Sequence, residues 1–266
     1  MSSLRRFEPW AYAAFLLMAA VLGLFFYLGM RPGGRTAVWA YRFGLLGVGW
    51  ASAVGMLAAL LYCARRRPLL QRGRAWPLTA LGAALWMCSL PIAYPSSHEG
   101  RFSSTRFRLP FTGTARVLHG GERATENPLR FDPARCFGFT FAPLGTEALK
   151  VVAPAAATLE RIIPGSGAAL VVLSTGRNEY CLLEGLERLS PDLRAGCSLV
   201  PGSALGESAH RLTVHLQDSV EPGMGEGIPL RFWDYRANGR LAEVGVPVPP
   251  QEVSEPTSPP APESAH

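Results

Sequence analysis

The chain has 266 residues, 48% of them hydrophobic and 17% charged. A soluble protein carries about a quarter charged residues, and the apolar excess here falls before Tyr94, so a membrane region followed by one soluble domain is expected. The formal net charge of +6 comes largely from arginines beside apolar segments, with no basic stripe and interleaved aromatics, which excludes a nucleic-acid-binding reading.

Residues 9–30 are apolar and uncharged, about 20 positions and enough to cross the hydrocarbon core. Trp10, Tyr12 and Tyr27 lie near the ends, as interfacial aromatics do. A turn at 31–35 leads to a second run at 37–64, interrupted only by Arg42 near its start, where a long side chain can snorkel. Residues 65–74 carry five arginines and read as a loop; a third run at 75–94 ends at Pro91 and Pro95. A cleaved signal peptide is disfavoured, because the first apolar core is too long and no small-residue cleavage site follows. The anchor, residues 1–95, is therefore expected to be three transmembrane helices. Arg5 and Arg6 share a side with Arg65, Arg66, Arg67, Arg72 and Arg74, against only Arg31 and Arg35 opposite. The arginine-rich side is expected to be cytoplasmic, the N-terminus inside and everything after Tyr94 outside. Small residues in the second run, Gly44 to Gly55, allow close helix packing.

Residues 96–105 read as a linker. RFRLPF at 106–111 opens the domain, and 115–119 alternates before Gly120-Gly121 stops it, as a strand and turn do. Residues 122–135 are polar with two prolines and read as a surface loop; CFGFTF at 136–141 reads as a strand. Apolar runs at 149–152, 157–163, 168–173 and 179–184, separated by Pro, Gly and Asn turns, follow hairpin grammar. The expected result is an all-β, mainly antiparallel domain over 106–236. Residues 237–266, rich in Pro, Glu and Ser after Val246, are expected to be a disordered tail. Of five cysteines, Cys63 and Cys88 lie in apolar segments, and the absence of CxxC argues against a zinc ribbon or thioredoxin-like site. Cys136, Cys181 and Cys197 lie in the soluble part, where one disulfide of unassigned pairing is allowed outside the cytoplasm.

HRLTVHLQDS at 210–219 alternates Leu212, Val214 and Leu216 with Arg211, Thr213, His215 and Gln217. Period two reads as a half-buried strand with its polar set on one face. This stretch resembles the HxH strand of the lysostaphin/LytM-type zinc peptidases, which cut peptidoglycan cross-bridges. Other pieces match that family in the same order. LPFTGTARVLHGG resembles its opening strand and double glycine, and VVAPAAATLERIIPGSG its "APADGTV" hairpin. RNEYCLLEGL resembles its "GEYSLYAHL" strand, and GIPLRFWDY its closing strand. Together they cover about 106–236, and the resemblance implies a duplicated-hybrid-motif β domain.

The family's chemistry uses a zinc ion held by two histidines and an aspartate, with further histidines near the attacked water. Three protein ligands fix the metal, and the metal lowers the pKa of its bound water. The resemblance lays the ligand positions on Leu129, Thr140 and Thr213 and the auxiliary histidines on Gly185 and Arg211. All five are substituted. Leu and Gly bring no ligand atom, neutral Thr is a poor zinc ligand, and Arg211 brings a fixed positive charge. His119, His210, His215, Asp132 and Asp218 are the candidates for a rebuilt site, but none shows a compact ligand spacing, and a partly exposed strand histidine is the plainer reading of His215. Cys181 with His215 lacks an oriented third group, and no GxSxG elbow is present.

The resemblance therefore implies a membrane-anchored, non-catalytic LytM-like domain outside the cytoplasm of a bacterial inner membrane, without a cofactor. It would bind peptidoglycan or regulate a cell-wall hydrolase through a groove containing Thr140, Arg211, Thr213 and His215. The alternatives are an active zinc peptidase with relocated ligands and a structural cap on a membrane complex.

Overall fold

The computed structural model describes residues 9–65, 72–121, 127–176 and 178–256. Arg5, Arg6, Arg66 and Arg67 of the orientation argument lie outside these residues, as does the tail from 257 onward. The chain divides into two compact units, residues 1–97 and 98–266.

The first unit is helical: α1 (Pro9–Gly29), α2 (Gly34–Arg65) and α3 (Arg72–Cys88). Helix α2 contains a π-helical turn, Ala40–Gly44, which carries Arg42; the Arg42 guanidinium donates to the Tyr94 hydroxyl at 3.1 Å. Ala14, Ala59 and Leu81, one from each helix, are buried together. Two of the three helices, α1 and α2, are long and apolar enough to cross a membrane by length and composition. The expected third span differs. Helix α3 has 17 residues, about 25 Å at the helical rise and short of a hydrocarbon core of about 30 Å. It begins inside the arginine stretch read as a loop, at Arg72, and ends at Cys88, before Pro91.

Among the described residues the second unit is β, apart from one 3-10 turn. Its first strands are β1 (Phe111–Thr112), β2 (Thr114–His119), β3 (Phe139–Pro143), β4 (Leu149–Val152), β5 (Ala157–Ile163), β6 (Ala169–Gly176) and β7 (Glu179–Leu186). There follow β8 (Arg188–Leu189), β9 (Ser198–Leu199), β10 (Ala204–Ser208), β11 (Leu212–Gln217), β12 (Phe232–Ala237), β13 (Arg240–Gly245) and β14 (Glu252–Ser254). Ten strands form one sheet in the order β13-β12-β14-β2-β3-β11-β7-β6-β5-β9, and four form another, β1-β4-β10-β8. Every strand pair in both sheets is antiparallel, so the expected all-β, mainly antiparallel class holds. Phe111, Phe139, Phe141 and Phe232 are buried in the main core. Edge-to-face pairs Phe111–Phe141 and Phe139–Phe232 lie 5.0 and 5.1 Å apart, a geometry favoured by the ring quadrupole.

Three expectations are corrected here. The segment 237–256 is not a disordered tail. Asn238 and Gly239 hold positive φ (49° and 77°) and close a two-residue hairpin between β12 and β13, the conformation that Asn-Gly favours. Strand β14 then inserts between β12 and β2, with Val253 opposite Ala115 and completely buried. Composition missed this because one of the two partner edges, β2, lies more than a hundred residues upstream. Nor is 96–105 a free linker: Ser103 Oγ donates to Glu179 Oε2 at 2.7 Å and Ser103 N to Pro229 O at 2.9 Å. Finally, the strand expected over 136–141 begins only at Phe139, and Cys136 belongs to the preceding loop.

Candidate functional site

Strand β11 is the middle of the site. Thr213 faces Thr140 of β3 on one side and Glu184 of β7 on the other, and His119 of β2 continues the row beyond Thr140. Antiparallel register puts directly opposed side chains on one face, and the Thr140 and Thr213 hydroxyls meet at 3.2 Å. His215 lies two residues on from Thr213 and therefore on the same face.

The expected half-buried strand is corrected by burial. Val214, His215, Leu216 and Gln217 are all buried, with His215 1% exposed. The polar face of β11 is covered by the loop 127–138. Asn127, itself buried, donates to Gly138 O at 2.9 Å and Cys136 O at 3.4 Å, and its Oδ1 accepts from Leu129 N. Asp132 Oδ1 accepts from the amides of Ala134 and Arg135, and Gly138 N donates to Arg135 O at 2.7 Å. Gly138 leaves room for this approach: a Cβ there would lie 3.1 Å from Leu129 Cδ1 and 3.3 Å from His215 Cβ. Alternation along the sequence could not reveal a cover supplied by a loop.

Arg135 is the residue that sequence reasoning missed. Its Nη2 lies 2.7 Å from Glu184 Oε1, and its Nε 3.7 Å from Asp132 Oδ2. Glu184 Oε1 has no aligned hydrogen-bond donor despite that approach, so the contact is an ion pair. His215 Nδ1 stands 3.9 Å from the same Oε1, beyond hydrogen-bond reach, and among the described residues neither ring nitrogen of His215 meets a partner in hydrogen-bonding geometry. Burial, then the Arg135 charge, lowers the His215 pKa to about 4, while Asp132 and the nearby Gln217 pull it upward. The imidazole is thus neutral at pH 7. Burial raises the Glu184 carboxyl above its ordinary value, with Arg135 opposing and Asp132 reinforcing the rise.

The remaining sequence candidates separate from this row. Arg211 precedes β11 and is exposed; the guanidinium that reaches the row belongs to Arg135. Gly185 is the bulged residue where β6 meets β7. Its φ is +101°, and any Cβ would run into the Arg211 carbonyl, so the backbone has no room for a histidine there. His210 is exposed and pairs with Glu187 at 2.7 Å. Asp218 pairs with His98 at 3.3 Å and accepts from Glu226 N. Cys181 is completely buried, which pushes its thiol up to about 12 and removes it as a nucleophile at neutral pH. All five cysteines are free.

No protein-family model matches the chain, and no curated protein does. Solved structures do match it. The catalytic domain of the prophage-encoded M23 protein EnpA from Enterococcus faecalis is 14% identical, over 49% of this chain and 95% of that one, with a TM-score of 0.34. Csd3 of Helicobacter pylori is 11% identical over 42% of this chain, with a TM-score of 0.34, and the match spans only 30% of the Csd3 chain. The SpoIIQ–SpoIIIAH pore-forming complex gives 9% identity over 47% of this chain and 89% of that one, with a TM-score of 0.36. The chain is similar to LytM/M23-type domains. Whether the site suits a metal is decided by its own side chains.

They do not suit zinc. Among the described residues, no group of three or more His, Cys, Asp or Glu side chains is placed to hold a metal ion. Where the resemblance assigns ligands, Leu129 offers a hydrocarbon, and the hydroxyls of Thr140 and Thr213 are bonded to each other. The two potential ligands that do approach, His215 and Glu184, share their space with the Arg135 guanidinium.

Proposed function

We propose that this protein is a membrane-anchored, non-catalytic LytM-like module that binds peptidoglycan or regulates a cell-wall hydrolase from outside the cytoplasm. One observation carries the reading. Each position to which the resemblance assigns a metal ligand holds a side chain unfit for one, and the auxiliary position at Gly185 has no room for any side chain. Among the described residues, a hydrolytic step through a metal-bound water therefore has no supporting side chains, while the β scaffold remains. The apolar outer faces of α1 and α2 support the anchor: Phe26 is 72% exposed and Trp50 67% exposed, a cost in water that lipid removes. The arginine asymmetry supports an N-terminus on the cytoplasmic side.

The test uses the full-length protein in detergent micelles. It should sediment with purified peptidoglycan sacculi or raise the activity of a cell-wall hydrolase, release no soluble fragments by itself, and carry zinc far below one equivalent. Stoichiometric zinc that disappears in His215→Ala would instead establish a peptidase with relocated ligands. Failure both to bind sacculi and to affect a hydrolase would remove the proposal.

A further inference from the structure

The helical unit holds a groove of about 530 Å³ between α2 and α3. One wall is a single face of α2, where Arg42, Leu45, Gly49 and Ala53 follow one another at helical spacing. Leu85 and Cys88 of α3 supply the other wall. Gly49 lets the two helices come close: a Cβ there would lie 3.6 Å from Cys88 Cβ. Among the described lining residues Arg42 alone is charged, none is acidic, and everything from Leu45 onward is apolar. Arg42 is exposed and held in place by the Tyr94 hydroxyl, to which its Nη2 donates at 3.1 Å. Tyr41 packs edge-on against the Tyr94 ring at 5.3 Å. The π-helical turn Ala40–Gly44 carries Arg42, and such turns recur at functional sites.

Charge spacing along α2 fixes the depth of this groove. Residues 43–64, between Arg42 and Arg65, are uncharged and span about 33 Å at the helical rise, close to a hydrocarbon core of about 30 Å. In a membrane, Arg42 therefore stands at headgroup level and Ala53, about 16 Å further along the helix, near the bilayer middle. The groove has a cation where phosphates lie and an apolar lining for the depth of one leaflet. We infer that it binds an anionic glycerophospholipid of the leaflet on the Arg42 side, with the phosphate on the guanidinium and one acyl chain along α2 from Leu45 to Ala53. The planar guanidinium fork matches a phosphate, and its five N–H donors allow the Tyr94 contact to persist. A zwitterionic headgroup brings its own cation toward Arg42, and a diacylglycerol fills the apolar part without using the guanidinium. The helical unit of a second copy would bring no anion, since residues 9–97 contain no acidic side chain. The inference rests on the membrane anchorage proposed above and adds a lipid partner to it.

The test mixes the full-length protein in detergent micelles with dioleoyl phosphatidylglycerol, dioleoyl phosphatidylcholine or dioleoylglycerol and counts retained lipid by native mass spectrometry. One phosphatidylglycerol per chain should be held about tenfold more tightly than the diacylglycerol and more tightly than phosphatidylcholine. Arg42→Gln should bring phosphatidylglycerol down to the diacylglycerol level. Ala53→Phe, which fills the apolar end of the groove, should weaken both. Should Arg42→Gln fail to fold, Arg42→Lys keeps the charge and loses the fork; it should weaken phosphatidylglycerol several-fold and leave diacylglycerol unchanged. Equal retention of the three lipids, phosphatidylglycerol binding untouched by the Arg42 and Ala53 changes, or a lipid-free dimer would each overturn the inference. Release of the protein from membranes by alkaline carbonate would strike the anchorage itself, whereas a chain that stays in the membrane and holds no phosphatidylglycerol loses this inference alone.

Discussion

His215 shows what a single buried base does to stability. In the unfolded chain its pKa is near 6.5, and in the fold it is about 4. Between those values the unfolded state binds the extra proton, so stability rises with pH through this window and is lost on acidification from pH 6.5 toward 4. The shift corresponds to about 3 kcal/mol at most. The raised Glu184 carboxyl opposes this just above its ordinary value, since there the fold holds a proton that the unfolded chain has released. His215→Leu should therefore melt at a temperature less dependent on pH between 4 and 6.5. At pH 7 it should be more stable by about 1–3 kcal/mol, because two buried nitrogens with no aligned partner among the described residues are replaced by hydrocarbon. Thermal melts across pH check both. Gly185 sets a second residue-scale limit. Gly185→Ala forces a Cβ into the Arg211 carbonyl at a φ of +101° and should cost more than about 2 kcal/mol in denaturant unfolding; a neutral outcome would show that the bulge relaxes freely.

At the scale of elements, the late strand β14 matters more than its three residues suggest. It pairs with β12 on one side and β2 on the other, and among the described residues it is the strand that links β12 and β13 to the rest of the sheet. Removing residues 246–266 would expose two strand edges and uncover Val253's place in the core. The truncated protein should lose the cooperative unfolding of the β unit and become sensitive to protease within 98–245, read by limited proteolysis beside the native chain. Unchanged resistance would mean that β14 is peripheral. Asn238-Gly239 was a legible hairpin signal, and a strand after it could have been expected. The short EVS strand could not, because its stability comes from the two edges it fills and not from its own propensity.

At the scale of the whole molecule, a helical unit that exposes large apolar side chains is combined with a β unit whose hydrophobic residues are mostly inside. That contrast was readable from where the apolar residues lie along the chain. Two helices of the first unit, α1 and α2, are long and apolar enough to cross a membrane. Adding zinc to the purified full-length protein should leave its melting temperature unchanged, whereas a ligand bound only by the native state would raise it.

The sequence by itself determined the antiparallel β class and most strand positions, because these depend on local period, turn residues and residue identity. Only the tertiary structure decided that β11 is buried on both faces, that Arg135 and not Arg211 brings the charge, and that the segment 237–256 completes the sheet. Each of those outcomes depends on partners distant in sequence: a loop folding over a strand, an ion pair formed across 49 positions, and a pair of edges waiting for a third. Burial and long-range electrostatics are properties of the assembled neighbourhood, and no window along the chain contains that neighbourhood.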